Sequence, residues 1–205
     1  MSIVLGVLAA GSGVGLVMGF ERSPYKTNEG IVYEQPVPFS HDHHTAAMGI
    51  DCRYCHTSVE VAASAGIPPT ATCINCHKQI WAESPMLEPV RTSWAEDKPL
   101  TWNRVHDLPD YVYFDHSIHV AKGVGCATCH GAVHKMPLIA RGASLQMNWC
   151  LDCHRNPEKY LRPPEEVFNM DWEPPTGDPH YGVKLAENAN IEDELRLTSC
   201  STCHR

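Results

Sequence analysis

No lysine or arginine precedes the first apolar run of this 205-residue chain, no basic stripe relieves its formal charge of −8, and aromatic residues make up only 8% of it. Without a basic stripe there is nothing to neutralise phosphates, which excludes nucleic acid as a partner. Without a positively charged start, the apolar run lacks the head of an export signal. Few aromatics leave a thin side-chain core for an apolar content of 43%, and 16 Pro with 14 Gly argue against long regular elements. No cysteine is left unpaired in the sequence pattern either.

All ten cysteines fall in five Cys-x-x-Cys-His units: Cys52, Cys55 and His56; Cys73, Cys76 and His77; Cys126, Cys129 and His130; Cys150, Cys153 and His154; Cys200, Cys203 and His204. By composition alone, a His after every pair has a probability of about one in a million. In such a unit the cysteines form thioethers to the two haem vinyl groups, and the His ligates the iron from one face. Cysteine pairs also build zinc sites, but zinc needs no His fixed directly after each pair. Five tight pairs make a poor disulfide framework. The chain therefore reads as carrying five covalently attached haem c groups. Porphyrins then supply much of the buried apolar surface, and short helices and irregular loops around stacked haems are expected, unfolded when haem is absent.

In chain order, Ser2 to Phe20 contains no charged residue. At helical rise its length nearly matches the hydrocarbon thickness of a bilayer, so residues 1–20 are expected to be a transmembrane anchor, with the apolar part of an export signal as the other reading. Gly11, Gly15 and Gly19 recur every four residues, which lines one helix face with bare backbone for a second membrane helix. Because haem c is attached outside the cytoplasmic membrane, the rest is expected on the periplasmic (outer) face as a single-pass membrane protein. A Pro-punctuated tether, 21–38, follows. Then Phe39-Ser40-His41-Asp42-His43-His44 is matched by Phe114-Asp115-His116-Ser117-Ile118-His119. Each Phe-x-His-x-x-His precedes two Cys-x-x-Cys-His units at similar spacing, which is an internal repeat. The divisions are a first dihaem module, 39–88, a connector, 89–113, a second dihaem module, 114–162, and a C-terminal segment with the fifth haem, 163–205. The connectors read as extended, and a last short helix is expected from Asn190 into the final unit, with Ile191, Leu195 and Leu197 apolar.

Each iron needs a sixth ligand. His41, His44, His116 and His119 are the first candidates, and His106, Met147 and Met136 compete for the remaining one. A thioether ligand would raise that haem's potential above its bis-His neighbours. His43, His134 and His180 read as solvated or hydrogen-bonding residues.

The Phe-x-His-x-x-His pattern resembles small multihaem cytochromes of the c3 and c7 type. That resemblance implies His41 opposite His56, His44 opposite His77, His116 opposite His130 and His119 opposite His154. The anchor, the five units and the segment from Trp102 to His154 further resemble the pentahaem cytochrome subunit of bacterial alternative complex III. The resemblance implies an electron-transfer subunit of a quinol:acceptor oxidoreductase with no substrate site of its own. The implied partners are a polytopic quinol-binding membrane subunit, an iron–sulfur subunit, and a monohaem cytochrome c or copper-protein acceptor. Two alternatives stay open: a membrane-anchored tetrahaem quinol dehydrogenase, and a catalytic multihaem reductase. The first matches neither the count of five nor the His spacing. The Cys-x-x-Cys-Lys unit typical of nitrite reductases of the second kind is absent.

Overall fold

A computed structural model describes the backbone from Ser2 to His204, and among those residues the chain is helical, with isolated bridges and no strand. It opens with α1 (Ser2–Glu21), 20 residues without a charge until the last, exposed from Ile3 onward, with a mean hydropathy of 2.1 in its apolar window. Twenty residues at helical rise span about 30 Å, the thickness of a bilayer's hydrocarbon core. A Cβ added at Gly11, Gly15 or Gly19 would meet nothing within 4 Å.

The segment expected as a tether does not hang free. After α2 (Pro24–Thr27), the Gly30 amide donates to the Arg141 carbonyl at 2.9 Å, and single bridges join Glu29 to Arg141 and Val32 to Ala140. The Arg141 guanidinium donates to the carbonyls of Thr27 (2.8 Å), Val105 (3.0 Å) and Asp107 (3.4 Å). Gln146 Nε2 donates to the Glu21 carbonyl at 2.6 Å, which ties the end of α1 to the segment before the fourth Cys-x-x-Cys-His unit.

The remaining helices are short, and five of them carry the cysteine units. A π-helical turn, Asp42–Ala47, follows His41. Then come α3 (Cys52–Cys55), α4 (Thr70–His77), α5 (Glu88–Glu96), α6 (His116–Ala121), α7 (Cys126–His130), α8 (Met147–Arg155), α9 (Tyr181–Asn188), α10 (Glu194–Leu197) and α11 (Cys200–Cys203). Asp51, Asp115 and Asp193 start α3, α6 and α10 by accepting the amides of Arg53, Ser117 and Arg196. Such a cap satisfies an amide that the first turn leaves orphaned.

Two connector expectations are corrected. The stretch after Ser84 holds α5, because Pro89 at the first turn is a permitted helix start and Asp97, in the left-handed region (φ 52°), closes the end. The last helix does not run from Asn190. That residue has φ 48°, Ile191 lies outside any helix, and α10 and α11 are separate short turns.

The protein's own core is small. Val37, Leu87 and Val90 are buried against Cys73, Ile74, Leu100 and Trp102, which seats α5 on α4. Among the described residues Val167 alone is a large side chain with under 2% exposure.

Candidate haem sites

The five units are numbered here as sites 1 to 5 in chain order. In every one the first Cys lies in the first turns of a helix and the second three residues on, so both thiols share one helix face. All ten thiols are free, and they stand where thioether sulfurs would form. Burial, and then the neighbouring cysteines, push Cys126 and Cys153 up to about 11 and Cys129 up to about 12. For Cys153 the neighbour is Cys150, with Asp152 and Glu158 adding to it.

Seven of the imidazoles follow one rule. His56 Nδ1 donates to the Gly66 carbonyl (2.8 Å), His77 to Ile80 (3.0 Å), His154 to Leu197 (2.8 Å) and His204 to Tyr111 (3.1 Å). On the upstream residues, His44 donates to Ser40 (2.8 Å), His116 to Ala63 (2.8 Å) and His119 to Asp115 (2.6 Å). A carbonyl partner fixes Nδ1 as the protonated nitrogen, which leaves the Nε2 lone pair for a metal. This is the outer-shell arrangement that orients a ligating His.

Three ring pairs face each other. His44 and His77 have centroids 6.2 Å apart, His116 and His130 6.3 Å, and His119 and His154 6.2 Å. Two metal–imidazole bonds of about 2 Å each, plus the two ring radii, require roughly 6 Å across an iron. The residues therefore fit a bis-His haem at these three positions. His41 sits beside His56: burial, then the charges of His56, His44 and His106, hold it down to about 4. Its Nδ1 is buried without a partner.

The phenylalanines of the two repeats are part of the site, which the sequence reading missed. Phe39 meets His41 edge-on (4.9 Å, 86°) and stacks on His44 (4.4 Å, 20°), while Phe114 does the same to His116 (4.8 Å, 89°) and His119 (4.5 Å, 25°). One aromatic ring thus holds two imidazoles of one turn in crossed orientations. The recurrence of Phe two residues before the first His of each repeat was the available signal. Trp81 was missed as well. It stacks between His43 (5.3 Å) and His77 (6.1 Å) at the edge of site 2.

The competing sixth ligands lie elsewhere than opposite a facing ring. His106 packs on His130 with centroids 4.3 Å apart and rings 67° from parallel, too close for an iron to stand between them. Burial, then Arg141 and His116, push it down to about 4, and its Nε2 is buried without a partner. Met147 is exposed in the first turn of α8, and the Met136 methyl lies beside Gly131. His134 is buried, in a hydrogen bond with Asp171 at 3.1 Å, and His180 precedes α9.

Residues 112–205 match a family model described as cytochrome c7 and related cytochrome c. Over 172 residues the chain is 34% identical to the menaquinone reductase multihaem cytochrome c subunit of Nitratidesulfovibrio vulgaris, an alignment covering 83% of this chain and 68% of that one. The chain belongs to the c7-like multihaem cytochromes c. Within them it is related to the multihaem cytochrome c subunit of a menaquinone reductase.

Proposed function

We propose that the protein is a membrane-anchored pentahaem relay subunit of a quinol:acceptor oxidoreductase of the alternative complex III type, with α1 in the membrane and the haem domain on the periplasmic face. The observation that carries this reading is the set of three facing imidazole pairs at 6.2 to 6.3 Å. Haem c bound between two imidazoles supplies a one-electron couple whose ligation barely changes with oxidation state. The chain's residues leave such an iron no open position: His44, His116 and His119 stand opposite His77, His130 and His154, and His41 stands by His56. Carbonyl partners keep the rings of His44, His56, His77, His116, His119 and His154 oriented, with Nε2 free for the iron. Five haems, partner subunits that bind quinol and carry iron–sulfur clusters, and a monohaem cytochrome c or copper-protein acceptor complete the proposal.

A second reading keeps the relay and reverses its direction. The relative in Nitratidesulfovibrio vulgaris is named a menaquinone reductase subunit, which delivers electrons to quinone. Membranes containing the assembled complex distinguish the two. Under the first reading a menaquinol analogue reduces the haems; under the second, dithionite-reduced haems are reoxidised by a menaquinone analogue, while the quinol leaves them oxidised. A pyridine haemochrome assay with intact mass fixes the haem count. Stoichiometric carbon monoxide binding to the reduced protein would defeat both readings in favour of a catalytic haem.

A further inference from the structure

The contacts between sites form a sequence that differs from the order of the motifs along the chain. Sites 1 and 2 touch through the residues inside their own units: Asn75 Nδ2 donates to Tyr54 Oη at 3.3 Å. They also share one turn of upstream backbone, since His41, beside His56, and His44, opposite His77, are three residues apart.

Sites 1 and 3 share a loop. The Gly66 carbonyl holds His56 at 2.8 Å, and three residues earlier the Ala63 carbonyl accepts both the His116 amide (3.1 Å) and His116 Nδ1 (2.8 Å). The Ser117 amide adds a bond to the Ala62 carbonyl at 3.3 Å. One short loop therefore positions an imidazole of each site.

Sites 3 and 4 repeat the first linkage, because His116 and His119 lie three apart on α6 and face His130 and His154. Sites 4 and 5 are joined by α10. The Leu197 carbonyl holds His154 at 2.8 Å, three residues before Cys200 opens site 5.

We infer that the five haem-binding sites form one unbranched row in the order 2, 1, 3, 4, 5, with the two repeats meeting head to head at their first sites. Sites 2 and 5 are then the ends. Cys76 and Cys200 are the exposed cysteines, one at each end, while the other eight are at least partly buried. At the site 2 end Ile80, Trp81 and Trp94 stand at least half exposed around His77. Sites 1, 3 and 4 each stand between two neighbours in this row, so a redox partner reaches it at an end.

This inference rests on the pentahaem reading and not on the direction of electron flow. It is tested on the full-length holoprotein by locating the irons, with anomalous diffraction at the iron edge or by cryo-electron microscopy of the complex. The iron of site 1 is expected to have those of sites 2 and 3 as its two nearest neighbours, and the iron of site 2 to have one near neighbour. Five irons in which site 2 lies closer to site 4 or site 5 than to site 1 would overturn the order and leave the relay reading intact. Fewer than five irons would defeat the pentahaem reading itself. Solution measurements give an independent check. With His44→Ala, which opens site 2, magnetic coupling in the resonance of the site 1 iron is expected to change while that of sites 4 and 5 stays as it was. A change at site 5 instead would overturn the row.

Discussion

His116 and His130 lie almost parallel, 12° apart with centroids at 6.3 Å, whereas His44 and His77, at nearly the same separation, are turned 67° from each other. The difference follows from how the upstream rings are held. His116 is fixed from outside its helix by the Ala63 carbonyl, while His44 is fixed by the Ser40 carbonyl one turn back and stacked on Phe39. Axial-ligand geometry is one of the protein's levers on a haem. Near-parallel imidazoles give a rhombic low-spin ferric signal, and crossed ones a strongly anisotropic signal with a large maximum g value. Electron paramagnetic resonance of the oxidised protein should therefore show both kinds, and His116→Ala should remove the rhombic one. Survival of the rhombic signal in that variant would mean that site 3 does not use His116.

Gly142 is packed against the backbone of site 3. A Cβ there would collide with the His130 carbonyl and lie 2.6 Å from the Gly131 amide nitrogen, backbone atoms that cannot swing aside. Gly142→Ala should cost about 1–3 kcal/mol of stability, as overpacking does. The measurable result is a lower unfolding temperature together with a disturbed rhombic signal, while the signals of sites 2 and 4 persist. An unchanged unfolding temperature would show that the backbone near His130 moves freely.

Acidification separates these histidines from free ones. Burial, before any neighbouring charge, holds His41 and His106 at about 4 and His130 at about 3. As pH falls below the ordinary histidine value of about 6.5, the unfolded chain gains protons that the folded chain does not take. The contribution of these groups to stability is therefore full above that value and is lost as pH drops towards 4 and then 3. The low-spin spectrum should persist well below about pH 6.5, while the unfolding temperature declines as the pH falls from that value. A conversion to high spin centred near pH 6.5 would show that the buried imidazoles are not shielded.

One of the five irons is expected to have a thioether as its sixth ligand, with Met147 ahead of Met136. Met147→Leu should abolish the near-infrared band characteristic of methionine-ligated ferric haem, and Met136→Leu should leave it. If the unsubstituted protein has no such band, the thioether is absent. His106→Phe should then create one carbon monoxide site if His106 takes that place.

What the sequence made legible was the chemistry carried by side chains in fixed registers. The Cys-x-x-Cys-His units and the two Phe-x-His-x-x-His repeats could be read directly. In the structure the repeats agree to 0.1 Å in both phenylalanine contacts, 4.9 and 4.4 Å for Phe39 against 4.8 and 4.5 Å for Phe114. What was not legible is mostly backbone. The carbonyls of Ala63, Gly66, Ile80, Tyr111 and Leu197 hold five imidazoles, yet a carbonyl looks the same at every residue. Helix α5 was hidden by Pro89 and its charges, because its apolar face is only Val90 with the small Ser93, whose hydroxyl is satisfied by the Lys98 carbonyl. Position along the chain was misleading too, since Ala63 and His116 are 53 residues apart and in contact.

Arg141 reaches across 114 residues to the Thr27 carbonyl and across 36 to that of Val105, and five residues later Gln146 grips the end of α1. With α1 in a bilayer, this clasp sets both the altitude and the compass heading of the haem domain. A buoy on a slack line could sweep for partners over the membrane surface and face any of them in turn. A domain moored at its base keeps one attitude to its own anchor, so a partner must come to whichever end the folded chain presents.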